Sequence, residues 1–330
     1  MRELAWSSKH DRGWFGRTGF AEVYGFLALP SRTSFCCFCD VMPVSSTVAK
    51  EIAELFTRAA AANRTTACRV GNVVQLPAMP EADVLITADL HGNWLNYDRI
   101  LELAGLDTHP HRHLVLQEVC HGGPTYPTEG GCMSHLLIEE VAQLKLAYPQ
   151  RVHFLLSNHE LAEATDFVIA KGGRMLNMHF RCGLREMYAE AAEDVHRAMK
   201  AFLLSCPLAL RMSDGIFVSH SLPAKTDQCP FYPGVLDTDW TEDDLSPVGA
   251  VFRLVWGRDF RRENAEAFAE LVHAKVLIHG HEPCTAGYQV PNDLQVIIDG
   301  SGREARYLLL PLDRSLTHAN VVQHVLKLHD

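Results

Sequence analysis

The chain has 330 residues, of which 47% are hydrophobic, and it carries a formal net charge of -10. This length and apolar content suit an α/β domain with a buried core. Because the chain is acidic and has no Lys/Arg-rich run, we expect neither nucleic acid nor a membrane surface as a partner. No stretch approaches the roughly 18 uninterrupted apolar residues of a membrane span. Ten irregularly spaced cysteines favour a reduced, cytoplasmic setting.

The first 41 residues differ in pattern from the rest of the chain. They mix Trp, Phe, Gly, Arg and Cys without helical or strand periodicity. After Met42 and Pro43, a Ser-Ser-Thr cap precedes an amphipathic run that reaches Ala61, which predicts a helix. We therefore expect residues 1–41 to be a disordered tail or a wrongly assigned upstream extension. Residues 42–330 are expected to form a single catalytic domain.

Short apolar runs alternate with longer helical patterns from residue 82 onward. This alternation is typical of a layered α/β fold. Buried strands are predicted over residues 82–87, 113–116, 151–156, 215–218, 274–278, 294–298 and 305–310. Helices are predicted over residues 94–103, 134–147, 184–204 and 264–272.

Side chains that can bind metals follow five of these strands in succession. In chain order they are Asp89, His91, Glu118, Asn158, His220 and His281. Because ligands bind at the carboxyl ends of strands in open α/β sheets, these side chains are expected to converge. Taken singly, each residue can equally be a helix cap or a turn residue. The whole set in this order predicts a metal centre.

The mixture of carboxylate, amide oxygen and imidazole suits Mn, Fe or Zn better than Ca. Two divalent cations about 3.5 to 4 Å apart can clamp a phosphoryl group and bring the pKa of a bridging water towards neutrality. The resulting hydroxide attacks in line, so the protein need not supply a nucleophile. We expect two divalent metal ions as cofactors, with Mn favoured over Fe or Zn.

The motifs around these residues resemble those of the calcineurin-like metallophosphoesterases, and specifically of the phosphoprotein phosphatase family with its bacterial relatives. The matching stretches are ADLHG at 88–92, QEVCHGG at 117–123, SNHE at 157–160, HSL at 220–222 and GH at 280–281. Their order and spacing agree over residues 82–310. The resemblance implies a layered α-β-β-α fold with central sheets flanked by helices.

The same resemblance implies roles for the individual residues. Asp89 and His91 would hold the first metal and Glu118 would bridge the pair. The second metal would be held by Asn158, His220 and His281. His159, next to Asn158, would be the general acid that protonates the leaving oxygen.

The second motif departs from the family pattern at three positions. Glu118 stands where the family has Asp, and its longer side chain still permits bridging. His121 stands where an Asp would orient the catalytic histidine. Gly122 stands where an Arg would clamp the phosphate with charge and bidentate geometry. Arg258 is the candidate replacement for that guanidinium, although it can equally pair with an acidic residue.

These features predict a metal-dependent phosphatase that hydrolyses phosphomonoesters. The substrate would be a protein carrying phosphoserine or phosphothreonine, or a small molecule such as a dinucleoside polyphosphate, since loops rather than ligand residues set the substrate. The altered motif leaves open a catalytically impaired relative that binds metal and phosphorylated ligands. A nuclease of the same superfamily is disfavoured by the acidic charge and by Pro283, which stands where a second histidine would follow His281.

Overall fold

The computed structural model describes residues 42–330, so the prediction for residues 1–41 lies outside the described part of the chain. The longer strands are β2 (Val73–Leu76), β3 (Asp83–Ile86), β4 (Arg112–Gln117), β5 (Val152–Leu155), β8 (Ala209–Met212), β9 (Ile216–Ser219), β10 (Val276–His279), β12 (Gln295–Ile298) and β13 (Arg306–Pro311). The short strands are β1 (Arg69–Val70), β6 (Ala170–Lys171), β7 (Arg174–Met175), β11 (Tyr288–Gln289) and β14 (Val325–Lys327). Each of the seven predicted strands is confirmed.

Helices lie between these strands in the chain. They are α1 (Ser46–Arg64), α2 (Trp94–Ala104), α3 (Ser134–Ala147), α4 (Asn158–Thr165), α5 (Leu176–Tyr188), α6 (Ala192–Leu203), α7 (Glu242–Leu245), α8 (Ala250–Trp256), α9 (Arg262–Leu271) and α10 (His318–Gln323). The helix predicted after the Ser-Ser-Thr cap is confirmed, and the Ser45 hydroxyl accepts a hydrogen bond from the backbone N–H of Val48. No helix between residues 42 and 330 combines the length and apolarity needed to cross a membrane.

The strands form two large sheets that pack face to face. One has seven strands in the order β1-β2-β8-β9-β10-β12-β11, and the other has five in the order β14-β13-β3-β4-β5. The main core lies between them and includes Val84, Ile86 and Val115 from one sheet and Val218 and Ile278 from the other. Leu114 and Leu116 alternate with Val115 and are also buried, as expected for strands covered on both faces.

Helices cover the outer faces of both sheets. Helix α3 packs on β5 of the five-stranded sheet, and α9 packs on β10 of the seven-stranded sheet. The chain thus has the predicted layered α/β architecture, with helices flanking a pair of central sheets. Strands β3, β4 and β5 are parallel to one another, and so are β9, β10 and β12.

The prediction of one helix over residues 184–204 is wrong. Helix α5 ends at Tyr188, a 3-10 turn covers Ala189–Ala191, and α6 then begins at Ala192. Ala189 has a φ of 47°, which interrupts the helical backbone. The local sequence consists of good helix formers, so the break has a tertiary cause. The buried Tyr188 donates its hydroxyl hydrogen to Glu139 of helix α3, which fixes where the chain turns.

Candidate metal centre

Four ligand-type atoms converge where strands of the two sheets end. Nε2 of His220 lies 2.7 Å from Asn158 Oδ1, 2.7 Å from Glu118 Oε2 and 3.1 Å from His281 Nδ1. Asn158 Oδ1 and His281 Nδ1 are themselves 2.9 Å apart. We refer to these four residues as the second-metal corner. Glu118 and Asn158 follow strands of one sheet, whereas His220 and His281 follow strands of the other.

The spacing within this corner matches a coordination sphere. Ligands bonded at about 2.1 Å to one cation, at right angles to each other, lie about 3 Å apart. One imidazole N–H on His220 cannot satisfy three neighbouring acceptors at once, whereas a cation can. The residues therefore fit a divalent metal ion, which Asn158, His220, His281 and Glu118 would hold.

Two histidines have their outer nitrogens occupied by hydrogen-bond acceptors. Nδ1 of His91 lies 3.2 Å from the backbone carbonyl of Cys120, and Nδ1 of His220 lies 3.4 Å from Oε1 of Gln117. Gln117 is oriented by its own amide, which donates to the carbonyl of Thr87. An acceptor at Nδ1 places the proton there and leaves the Nε2 lone pair free, as in metal-binding histidines. Gln117 is a supporting residue that the sequence analysis missed.

The other side of the site is more open. Nε2 of His91 lies 3.1 Å from Glu118 Oε1, and Nε2 of His159 lies 3.7 Å from the same oxygen. Within residues 42–330, His91, Glu118 and His159 form one potential ligand group, and Glu118, His220 and His281 form the other. Asp89 lies beside these groups: its Oδ1 accepts the backbone N–H of His281 and is 3.8 Å from Nδ1 of His220. The structure thus brings all six predicted ligands to one place, with Glu118 shared between the two groups.

The electrostatics of the site favour added positive charge. Burial and the nearby charge of Glu118 raise the pKa of Asp89 to about 6. Burial opposes ionisation of Glu118 as well, but His220, His91 and His159 hold its pKa well below the ordinary range. Burial also lowers the pKa of His281 well below its ordinary value. Although burial opposes it, the charge of Glu118 raises the pKa of both His91 and His220, so the buried carboxylates attract positive charge, as a site for divalent cations would.

Several residues of the site have a strained backbone conformation. His91, Glu118, His121 and His281 all have positive φ, between 38° and 67°. Such conformations are uncommon for residues other than glycine and cluster at functional sites. No local sequence pattern indicates this strain, because these residues lie in the loops that meet at the sheet edges.

Glu160 anchors the altered second motif. This buried carboxylate accepts hydrogen bonds of 2.8 Å from the backbone N–H groups of both Val119 and Cys120. The backbone N–H of His121 donates to the hydroxyl oxygen of Ser134. The backbone on either side of Glu118 is therefore held from two directions. Glu160 ends the SNHE stretch at 157–160, but this anchoring role was not predicted from the sequence.

Position 122 has no room for a side chain. A Cβ added to Gly122 would lie 2.3 Å from the carbonyl oxygen of His91. A Cβ added to Gly123, at a φ of 71°, would lie 2.1 Å from the carbonyl oxygen of Gly92. The two loops pack backbone against backbone, so the family's arginine is replaced by a glycine that the packing requires.

His121 occupies the place from which a carboxylate would orient the catalytic histidine. Its Nδ1 lies 3.0 Å from Nδ1 of His159, and its Nε2 lies 3.1 Å from Oε2 of Glu163. Burial lowers the pKa of His159 to about 3, and neighbouring histidines add to this effect. Glu163 is a further residue without a predicted role. The signal that could have found it is its position four residues after His159, on the same helical face.

Arg258 lies at the rim of the site. It pairs with Glu282, the residue after His281, and its side chain is about half exposed. Its positive charge contributes to the lowered pKa of His281, after the larger effects of burial and His220. Arg258 is thus close to the predicted ligands but is engaged by a carboxylate. Its role as a phosphate clamp remains a prediction.

Solved structures with a similar fold are phosphatases. A protein serine/threonine phosphatase from Saccharomyces cerevisiae with similarity to human phosphatase PP5 matches with a TM-score of 0.62 and 14% identity, over 84% of this chain and 88% of that one. A cold-active protein-tyrosine phosphatase of a psychrophile, Shewanella sp., matches with a TM-score of 0.52 and 12% identity, over 79% of this chain and 83% of that one. No family model and no curated protein matches the chain. The chain has the fold of the phosphoprotein phosphatase-type metallophosphoesterases.

Proposed function

We propose that the chain is a metal-dependent phosphatase that hydrolyses phosphomonoesters. The observation that carries this proposal is the second-metal corner, in which atoms of Glu118, Asn158, His220 and His281 converge at coordination distances beside His159. Asp89 and His91 would hold the first of two divalent cations. When bound, such cations, with manganese favoured, withdraw charge from a phosphoryl group and lower the pKa of an attacking water.

The chain's own residues supply binding and proton transfer. His159 presents Nε2 towards the shared ligand Glu118, where it can give a proton to the leaving oxygen of the ester. Arg258 is proposed to release Glu282 and bind the phosphate as substrate arrives. Phosphoserine or phosphothreonine in a protein is the proposed substrate class, as the name of the yeast structural neighbour suggests. Dinucleoside polyphosphates are the small-molecule alternative.

Hydrolysis of para-nitrophenyl phosphate by the metal-stripped chain tests this function. Manganese, zinc or magnesium is added back separately, and bound metal is measured by mass spectrometry. We expect two metal ions per chain and turnover only with metal. A chain that binds two ions but turns over neither this ester nor a phosphopeptide would contradict phosphatase activity, and a chain that binds none would contradict the metal centre.

Two variants separate metal binding from proton transfer. Asn158→Ala removes one oxygen of the second-metal corner and is expected to lower both metal content and turnover. His159→Ala is expected to keep the metals and lose at least about 100-fold in turnover, the usual size of a general-acid contribution. His109→Ala, at an exposed histidine away from the ligands, is the matched control and should behave like the unaltered chain.

A second candidate function is a phosphate-binding relative with impaired turnover. It is favoured by the lack of space for an arginine side chain at Gly122 and by the pairing of Arg258 with Glu282. Such a protein would bind a phosphoserine peptide in the presence of metal without hydrolysing it. Calorimetry with that peptide, followed by phosphate release over hours, separates the two candidates.

We also propose that residues 42–330 act as a single catalytic domain. All the predicted ligands and the two sheets that carry them lie within this range. A chain that begins at Met42 is expected to keep the metal content and turnover of the full chain. Loss of either property on this truncation would assign a role to residues 1–41.

A further inference from the structure

A series of hydrogen bonds leads from His159 into the protein interior. Nδ1 of His159 contacts Nδ1 of His121 at 3.0 Å, and Nε2 of His121 contacts Oε2 of Glu163 at 3.1 Å. The side chains of His121 and Glu163 are fully buried. Glu163 lies on helix α4 one turn after His159, while His121 belongs to the altered second motif, so two separate segments contribute to this series of hydrogen bonds.

Glu163 is held rigidly at the end of this series of hydrogen bonds. Its Oε2 also accepts from the Asn177 amide at 3.1 Å, and its Oε1 accepts from His196 Nε2 at 2.8 Å and from Arg181 Nε at 3.4 Å. Each carboxylate oxygen thus has two donors, which fill its acceptor capacity. Burial would raise the pKa of Glu163, but the hydrogen bonds from His121 and His196 lower it to about 2. The group is an ionised, fully satisfied carboxylate.

The ionised carboxylate of Glu163 determines which nitrogens of His121 and His159 carry protons. Glu163 can only accept, so Nε2 of His121 carries a hydrogen that it donates. The two Nδ1 atoms of His121 and His159, 3.0 Å apart, then share one proton between them. With Nδ1 of His159 tied in this way, its Nε2 is the nitrogen left facing Glu118 and the site.

We propose that His121 and Glu163 are positioning residues for His159, acting as a histidine-carboxylate pair in place of the single carboxylate that the family pattern has at residue 121. This inference rests on the proposed phosphatase function, in which His159 is the general acid. The pair holds the His159 ring in one orientation, with Nε2 facing the site. As the phosphorus-oxygen bond breaks, its electron pair goes to the leaving oxygen, which takes the proton from Nε2, and His159 is left neutral.

Leaving-group dependence distinguishes this role from simple structural support. Phenyl phosphate has a poor leaving group that needs a general acid, whereas 2,4-dinitrophenyl phosphate has a good one that does not. With the manganese-loaded full chain, His121→Asn and Glu163→Gln are expected to lower kcat for phenyl phosphate by about 10- to 100-fold. For 2,4-dinitrophenyl phosphate the change is expected to stay below about threefold, and KM for both esters should change little. Equal losses on both esters would overturn the proposal.

A double variant tests whether the two residues act in series. Once His121 is replaced, Glu163→Gln should lower kcat for phenyl phosphate by no more than about a further twofold. Additive losses would indicate independent structural roles and contradict the proposal. His196→Asn is the matched control, because it removes a donor to the other oxygen of Glu163 without interrupting the path to His159. Its effect is expected to be equal for the two esters.

A spectroscopic readout keeps this inference separate from the proposed function. In the zinc-loaded, diamagnetic chain with ¹⁵N-labelled histidine, the imidazole N–H that His121 donates to Glu163 is expected as a slowly exchanging, downfield proton resonance. This resonance should vanish in Glu163→Gln, while the backbone amide spectrum remains that of a folded protein. If unaltered protein hydrolyses neither ester, the phosphatase proposal fails, and this resonance then decides the positioning geometry alone. Identical imidazole spectra for the two proteins would overturn the geometry.

Discussion

The second-metal corner and the loop formed by residues 119–123 are neighbours that follow different rules. In the corner, Asn158, His220 and His281 match the phosphoprotein phosphatase pattern and Glu118 replaces its Asp, and four side-chain atoms meet at 2.7 to 3.1 Å. In the loop, the residue types depart from that pattern, yet the backbone is firmly held by Glu160 and Ser134. Geometry is thus preserved where chemistry has changed.

The difference shows that a lost motif residue has two possible outcomes. At residue 121 the family's carboxylate is replaced by a histidine backed by Glu163, so a route to His159 is retained. At residue 122 the arginine is replaced by a glycine whose neighbour His91 leaves no space for a Cβ. The change at residue 121 is accompanied by a buried partner, Glu163, whereas packing at residue 122 leaves no room for the arginine. Four predictions test this contrast, from the largest expected effect to the smallest.

Replacing a ligand in the corner should have the largest effect. His220→Ala removes the nitrogen that contacts three other ligand atoms, so we expect loss of at least one bound metal and more than about a 100-fold drop in aryl phosphatase turnover. His91→Ala, on the more exposed side, should cost less metal affinity. Metal content by mass spectrometry at graded metal concentrations measures both. A smaller loss in His220→Ala than in His91→Ala would reverse our ranking of the two sides.

Restoring the family's arginine should fail. Gly122→Arg places a Cβ against the carbonyl oxygen of His91, and we expect a loss of about 3 kcal/mol in the free energy of unfolding without any gain in turnover. Gly302→Ala is the control, since a Cβ there meets nothing within 4 Å. Urea unfolding of both variants gives the comparison. A stable Gly122→Arg chain with faster turnover would show that the loop can open for a phosphate clamp.

The buried carboxylate of Glu163 should make stability depend on pH. Its pKa is lowered from about 4.5 to about 2 by folding, so it contributes stability above pH 4.5 and loses that contribution as the pH falls towards 2. Relative to Glu163→Gln, the unaltered chain should lose about 2 kcal/mol of unfolding free energy between pH 6 and pH 3. Urea unfolding at both pH values measures the difference. Parallel pH curves for the two proteins would contradict an ionised Glu163.

Removing the rim arginine should have the smallest effect. Arg258 is half exposed and paired with Glu282, so Arg258→Ala should change the unfolding free energy by no more than about 1 kcal/mol. If Arg258 binds phosphate, KM for para-nitrophenyl phosphate should rise by about tenfold with kcat nearly unchanged. Steady-state kinetics beside Arg262→Ala, an exposed arginine paired with Glu266, provides the control. Equal kinetics for both variants would remove Arg258 from the site.

The sequence was informative about elements with strong local patterns. The strands before Asp89, Glu118 and His220 were predictable because each is a short apolar run that is buried on both faces. The break between helices α5 and α6 was not, since Ala189 and its neighbours are good helix formers and the turn depends on a contact between Tyr188 and Glu139. Strand β2, paired with β8, was not predicted, because the exposed Gln75 interrupts its short apolar run.

The sequence by itself determined which side chains can bind metal and at which strand ends they stand, because strand periodicity and residue type are local properties. Only the tertiary structure decided how those ends meet, since Glu118 and Asn158 come from one sheet and His220 and His281 from the other. It also decided the partners of the altered motif: the ring of His121 reaches both His159 and Glu163, and the backbone at Gly122 lies against His91. Such contacts depend on packing between segments that are distant in the chain, which no local pattern encodes.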